Sequence, residues 1–572
     1  MQVPRLAVPA LYLLSGIMIF AGCGQVKTAD MVIRNGAIYT MDDAMPTAGA
    51  VGVIDGKIAF VGSDADVETM IGPDTEILDL QGRTMTPGII ESHGHLMSQG
   101  RSRMELNLND VGNYDELLER VAEAVRDAQP GEWIVGGGWH QSKWDPEPSP
   151  MVKGFQTHHA LSRVSPDNPV YLDHASGHAG FSNAKAMEIA GVTRDTEFTE
   201  GGEILKDDRG NPTGIFNERA QDLITRHIPE STPETERQSL EMAIQDCLEN
   251  GITSFHDAGQ SQASIDLYKE FLEGGKLKIR LYVMISGRDE EMLERWLESG
   301  PERGLGNNFL TISSIKLVAD GALGSRGAWL LESYTDRAGH TGHETVPMDY
   351  VYKVSQEALQ HGFQVAVHCI GDRANREVLD QYEKAFMENP EGAQDHRFRI
   401  EHAQHLSVED IPRFGELGVI ASMQGIHMAS DRPWAIDRLG RERIVEGAYV
   451  WQKLFNSGAK IINGTDVPVE PVNPIACFYA SVTRRTLKGT PPGGYEPDQK
   501  MSREEALRSY TLDAAYGAFE EGIKGSIEVG KLADFTVFSQ DIMRVPDDDL
   551  LNTAVDYTII DGKILYKRPP LN

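Results

Sequence analysis

At 572 residues the chain is too long for one ordinary domain, and 40% hydrophobic with 24% charged residues is the composition of a globular rather than a disordered protein. Its 86 acidic and 54 basic residues give a formal net charge of −32. Such a surface repels nucleic-acid phosphates and anionic lipid, which speaks against a DNA-binding role but names no substrate.

The chain opens MQVPRLAVPALYLLSGIMIFAGCGQ, in which one basic residue, Arg5, precedes an apolar run ending Phe20-Ala21-Gly22-Cys23. Small residues directly before a cysteine resemble a bacterial lipoprotein signal, with cleavage before Cys23 and lipidation of that residue. The n-region carries little charge and Phe20 stands where leucine is usual. An uncleaved membrane anchor and an ordinary secretory signal are the alternatives. On the lipoprotein reading, residues 1–23 are a signal peptide and the protein is exported. It is then anchored by lipid to a bacterial membrane, on the periplasmic or cell-surface side, and otherwise soluble. No later segment is apolar for long enough to span a bilayer. Cys247, Cys369 and Cys477 are too scattered for a disulfide framework and read as small buried hydrophobes.

MVIRNGAIYTMD and GAVGVIDGKIAFVGS then read as alternating strands joined by Gly- and Asp-rich turns. The same grammar returns in GKLADFTVFSQD and AVDYTIIDGKILYKR. The echo of VIDGKIAFVG in IIDGKILYKR predicts one small β-sandwich built from residues 24–83 and 521–572. From Thr84 the texture changes, and apolar runs ending in polar residues alternate with amphipathic helical stretches. They are PGIIESHGH, GITSFHDAG, IRLYVMISG, ISSIKLVADG, FQVAVHCIGD, FRIEHAQHL, GVIASMQGIH and AKIINGTDVPV. Eight buried-type strands with helical crossovers predict an α/β protein, a (β/α)8 TIM barrel over residues 84–520. A doubly wound sheet is the rival, but no phosphate-type Gly-rich turn follows the first strand. The long gap at 98–250, with the helix NYDELLERVAEAVRDA and the irregular run GGGWHQSKWDPEPSP, reads as an insertion that covers the site and shapes the pocket.

Active sites of such barrels sit at the C-terminal strand ends. The first strand exits with His93 and His95, whose i, i+2 spacing puts both imidazoles on one face. The fourth brings Lys316, followed by Asp320; the fifth brings His368, the sixth His402 and the eighth Asp466. Alone, the H-x-H pair is no more than a solvated strand end. Four histidines and a carboxylate at one rim match the ligand preferences of Zn²⁺ or a similar divalent ion.

This pattern resembles the amidohydrolase superfamily. IKLVADGALGSRGA, AVHCIGDRAN, RIEHAQHL and NGTDVPVEPVNP are similar to its YtcJ-like, or amidohydrolase-3, group. The resemblance covers nearly the whole chain after the signal. It implies a metal-dependent hydrolase of non-peptide C–N bonds, acting on a small-molecule amide, N-acyl or N-formyl amine with one or two divalent ions. One relative is an N-substituted formamide deformylase. Metal-activated hydroxide attacks the carbonyl, and Asp466 serves as metal ligand and general base. His93 and His95 join the ligand set, and His368 and His402 hold a second metal or line the pocket. The resemblance further implies a carboxylated Lys316 bridging two metals, against the simpler reading of a Lys316–Asp320 salt bridge.

Other residues carry weaker signals. His178, in YLDHASGHAGFSN, resembles a pocket position of these relatives but reads equally as a loop histidine, and Trp139 and His140 raise the same question. Arg326 binds an anionic substrate group or simply pairs with an acid. His405, past the sixth strand, reads as an ordinary loop histidine. Cys369 follows His368 on a strand and so points to the opposite face, which disfavours a nucleophilic role. A deaminase or ester hydrolase on the same barrel is the nearest alternative. Deaminases of this fold place a glutamate shortly after the strand-five histidine, where this chain has Gly371-Asp372. A surface-anchored binding protein with a vestigial site is the non-enzymatic alternative. A homo-oligomer is left open.

Overall fold

The computed structural model describes residues 27–199 and 201–570; the signal peptide and Cys23 lie outside them. Eight strands form one continuous parallel sheet: β1 (Ile89–Gly94), β2 (Ile252–Gln260), β3 (Arg280–Ser286), β4 (Leu310–Val318), β5 (Gln364–Cys369), β6 (Arg399–His402), β7 (Ile420–Met423) and β8 (Ile461–Asn463). All eight coincide with the apolar runs read from the sequence. Burial on both faces explains those runs, because helices cover the outside of a parallel sheet. The helix Met348–His361 buries Val351, Val354, Ser355, Ala358 and Leu359, one stripe at i, i+3, i+4, i+7 and i+8. It ends where Gly362 takes φ +77°.

A side chain helps to close the barrel. The backbone links the two edges by Asp466 N–H to His93 O and His95 N–H to Val467 O, both 2.8 Å. Below them the buried Glu91 carboxylate stitches β1 to the end of β8, accepting from Thr465 N (2.7 Å), Thr465 Oγ1 (2.9 Å) and His93 N (3.2 Å). Gly464 has to lack a side chain there, since a Cβ would lie 2.2 Å from Glu91 Oε1.

Both termini build the β-sandwich. Its six-stranded sheet runs Lys563–Lys567, Val555–Ile560, Phe535–Phe538, Thr84–Pro87, Ala37–Tyr39 and Thr47–Ala48. Its four-stranded sheet runs Lys57–Gly62, Ala50–Ile54, Met31–Arg34 and Glu76–Asp79. Met31, Ile33, Val51 and Val53 of the smaller sheet share a core with Met85, Phe535, Val537 and Ile559 of the larger. The echoed Asp-Gly pairs are tight hairpin turns with positive φ at both central residues, 53° and 73° at Asp55-Gly56 and 55° and 69° at Asp561-Gly562. The turns touch: a Cβ on Gly56 would lie 2.3 Å from Asp561 Oδ1.

The insertion is more ordered than its sequence suggests. It carries a mixed six-stranded sheet, in the order Gly202–Lys206, Pro212–Glu218, Ala179–Ser182, Val170–His174, Ile134–Trp139 and Leu106–Asn107. Its own core includes Leu117, Val121, Trp139, Phe155, Leu172 and Phe181. The run read as irregular begins inside the strand Ile134–Trp139, whose three consecutive glycines had hidden it. No helix of the described residues is long and apolar enough to cross a membrane.

Candidate metal centre

His93, His95, Lys316, His368, His402 and Asp466 all line one cavity of about 610 Å³ at the C-terminal ends of the strands. The insertion forms much of its far wall and delivers His178, whose Nδ1 lies 2.7 Å from Glu218 Oε2. Arg326 stands elsewhere. It pairs with Asp336 at 2.8 Å and donates to Lys153 O, off the cavity wall. Trp139 packs in the insertion core, and His140 lines an adjoining cavity of about 50 Å³ that His368, His402 and Asp466 also reach.

Two backbone kinks shape the rim. On a straight β6, Arg399 and Glu401 face the barrel interior and His402 faces out. Positive φ at His402 (74°) and Ala403 (43°) breaks this alternation and brings the imidazole to the cavity. Asp466, with φ +61°, turns in the same way past β8. Such backbone costs of order 1–3 kcal/mol per residue and persists where the surroundings over-determine it.

The Asp466 carboxylate is shared between two pairs of histidines. Its Oδ1 lies 3.2 Å from His95 Nε2 and 3.6 Å from His93 Nε2. Its Oδ2 lies 3.8 Å from His427 Nε2 and 4.0 Å from His402 Nδ1. Potential ligand atoms of His93, His95 and Asp466 fall within 4.8 Å of one another, and so do those of His402, His427 and Asp466. His368 stands beside this second set, its ring centroid 4.5 Å from that of His402 and its Nε2 3.5 Å from Asp320 Oδ1.

Burial sets the protonation states. It pushes the His93 and His368 imidazoles well below their usual range and His402 to about 3, so all three are unprotonated donors at neutral pH. Burial also lowers the Lys316 amine to about 8. For Asp466 burial acts upward, but the His95 hydrogen bond and the neighbouring imidazoles hold its carboxyl well below the carboxylate range. Lys316 makes no ion pair with Asp320, whose oxygens accept the N–H groups of Trp329, Ile370 and Gly371 at 2.8–2.9 Å. Its Nζ lies 3.4 Å from His93 Nε2 instead.

The donor set fits a divalent cation. It consists of imidazoles around a carboxylate, and among the described residues His368 Nε2 and His427 Nε2 are buried without a hydrogen-bond partner. Residues 76–566 match the amidohydrolase family. The chain belongs to that family. It is a metal-dependent hydrolase, related over 94% of its length to the putative amidohydrolase YtcJ of Bacillus subtilis (32% identity, 99% of that protein covered). The N-substituted formamide deformylase of Arthrobacter pascens is 28% identical over 94% of this chain and 98% of its own. An uncharacterized metal-dependent hydrolase from Pyrococcus horikoshii superposes with a TM-score of 0.71 at 26% identity, covering 90% of this chain and 99% of that one.

The sequence reading missed His427, although it ends the seventh quoted run, because it stands on the helix Gly425–Gly447 beyond β7 rather than on a strand. It also missed Glu401 and Arg399. Their inward positions on β6 were readable from alternation, but a charged barrel interior is not the default expectation.

Proposed function

We propose that the protein hydrolyses a non-peptide C–N bond in a small N-acyl or N-formyl amine, with one or two divalent ions, Zn²⁺ first among them. The single observation that carries the reading is the Asp466 carboxylate, buried and ionised between His93 and His95 on the wall of a cavity large enough for a drug-sized molecule. The relative named as a formamide deformylase supports the choice of bond.

His93, His95, His368, His402 and Asp466 would hold the metal, with Lys316, carboxylated on its unprotonated amine, completing the set. The ion supplies Lewis acidity, polarising the scissile carbonyl and acidifying water. Asp466 takes the proton from the attacking water and returns it to the leaving nitrogen, the two halves of acid–base catalysis by one carboxylate. His178, held by Glu218 on the opposite wall, hydrogen-bonds the substrate. The main cavity accommodates the amine portion, and the insertion that walls it sets which amine is taken.

The test is a screen of the metal-loaded protein against N-formyl and N-acyl amines, N-acyl amino acids and cyclic amides. Release of amine that Asp466→Asn slows by at least about a thousandfold, with the fold intact, supports the assignment. Hydrolysis confined to esters or to exocyclic amines of heterocycles would replace it with an esterase or deaminase. The lipid anchor is proposed with it: Cys23→Ser should move the protein from the membrane fraction to the soluble one.

A further inference from the structure

The motif GALGSRGA, residues 321–328, supplies no ligand to the metal centre, and Arg326 within it is taken up by Asp336. Its glycines bear on the cavity by another route, through a residue of the insertion. Glu218 ends the strand Pro212–Glu218 with φ +51° and ψ −132°, a strained conformation for any residue but glycine. Its buried carboxylate presses on the loop after β4. A Cβ on Gly321 would lie 1.9 Å from Glu218 Oε1, and one on Gly327 would lie 2.0 Å from it. Neither glycine has positive φ, so what the position demands is space and not backbone freedom. Asn217 adds a further tie to the same loop, its Nδ2 donating to Ser325 O at 3.3 Å.

The residue held by this cradle is His178. Glu218 N–H donates to His178 O at 3.0 Å, and Glu218 Oε2 accepts from His178 Nδ1–H at 2.7 Å. Ser176 Oγ accepts from His178 N–H at 3.2 Å. Backbone and side chain of one residue thus fix both the place and the rotation of this imidazole. With Nδ1 committed to Glu218, the nitrogen left for a ligand is Nε2. The ring lines both the main cavity and the small one beside it, its centroid 4.8 Å from that of His368.

We propose that Glu218 is a positioning residue for the hydrolysis: seated between Gly321 and Gly327, it aims His178 at the substrate. The inference rests on the hydrolase reading and on the contact of His178 with substrate. It gives the glycines of the quoted motif a task, since a barrel loop that never touches the substrate sets the geometry of the insertion wall. A substrate held by one nitrogen of a fixed ring meets Asp466 in one pose, and a displacement of the ring costs rate more than fold. The strain at Glu218 is consistent with this. A positive φ on a glutamate persists only where the surroundings over-determine it, and here the cradle, the His178 carbonyl and the His178 ring do so together.

The experiment is a double-mutant cycle on the metal-loaded protein, reading kcat and KM for the best N-acyl amine of the screen, with thermal melts and metal content as controls of the fold. Glu218→Ala and Gly327→Ala should each lower kcat/KM by about a hundredfold, mostly in kcat. Glu218→Gln, which keeps an acceptor for Nδ1–H, should recover most of that loss. In a His178→Ala background, Glu218→Ala should cost less than about twofold more, because its effect passes through that ring. Additive losses in the double variant overturn the proposal, as does a folded Glu218→Ala protein within about threefold of wild type. If Gly327→Ala fails to fold, the Glu218 variants decide. If no amide is turned over, the hydrolase reading falls by itself, and crystal structures still judge this one. A His178 ring shifted or turned by about 1 Å or more in Glu218→Ala supports the positioning role, and a ring left in place overturns it.

Discussion

His93 Nδ1 lies 2.5 Å from Glu401 Oε2, joining β1 to β6 through two side chains with no solvent exposure. Arg399 grips the same carboxylate through Nε (2.6 Å) and Nη2 (2.9 Å), and its Nη2 also donates to Ser92 O (2.7 Å). Burial opposes the charge on Glu401, but Arg399, Lys316 and Ser422 together more than offset it and hold the carboxyl below its ordinary range. An ionised acceptor at Nδ1 fixes the proton there and leaves His93 Nε2 bare on the cavity side.

Glu401→Gln, which can still accept from Nδ1, should therefore weaken Zn²⁺ binding modestly. Glu401→Leu should weaken it about tenfold to a hundredfold, the usual cost of losing an outer partner of a metal-binding histidine. Competition with a chelator of known affinity measures both. Equal affinities in wild type and Glu401→Leu would show that His93 needs no such partner. Because Glu401→Leu also strands Arg399 without its carboxylate, circular dichroism and a thermal melt belong with the measurement.

Lys316 yields a pH prediction. An ordinary lysine titrates near 10.4, and only the unprotonated amine reacts with CO₂. With its pKa lowered to about 8 by burial, about a tenth of the side chain is amine at pH 7, and the fraction rises through pH 8. Metal uptake by protein freed of CO₂ should accelerate on adding bicarbonate, more so at pH 8.5 than at pH 6.5. Lys316→Met should abolish the bicarbonate effect. An uptake rate indifferent to bicarbonate at both pH values would remove the carbamate from the site.

The barrel and its rim were legible because each rests on a local pattern. Double-sided burial writes a strand as a continuous apolar run, and catalytic side chains stand at the polar end of it, so His93, His95, His368 and Asp466 could be found by counting along the chain. His402 was found by the same count although only a positive φ brings it to the cavity. What escaped depends on contacts distant in sequence. His427 enters the site from a helix, and Glu401 acquires its meaning from His93, 308 positions away. Arg326 shows the converse: its motif fits the resemblance, yet a partner ten residues on, Asp336, takes up its charge. The insertion's sheet was hidden because its strands are short and one is half glycine.

His405 carries a second pH dependence, this time of stability. It is 3% exposed, neither ring nitrogen has a partner among the described residues, and burial pushes its pKa down to about 3. Between the unfolded value near 6.5 and that figure, the unfolded chain binds a proton that the folded one refuses, so stability is lost as pH falls below about 6.5. At pH 5 the loss from this one residue is of order 2 kcal/mol. His405→Phe should narrow the gap between the urea midpoints at pH 7 and pH 5. An unchanged gap would mean that His405 titrates normally in the folded protein.

A buried ion pair helps to join the sandwich to the barrel. Arg280, the first residue of β3, meets Asp534 of the sandwich through Nε (2.6 Å) and Nη2 (2.9 Å), with side chains 1% and 4% exposed. Asp534 also accepts from Asp561 N–H at 2.9 Å, and its backbone carbonyl accepts from Gly88 N–H just before β1. A buried pair of this kind adds little over an apolar replacement, yet stripping one partner leaves a charge with nowhere to go. Asp534→Ala should therefore destabilise the protein by about 3–5 kcal/mol. The joint Arg280→Met, Asp534→Leu variant should recover most of that. Denaturant unfolding followed by tryptophan fluorescence reads both, and proteolysis near residues 520–534 reports early release of the sandwich. A double variant no more stable than Asp534→Ala would locate the cost in the lost Asp561 contact instead of in the unpaired guanidinium.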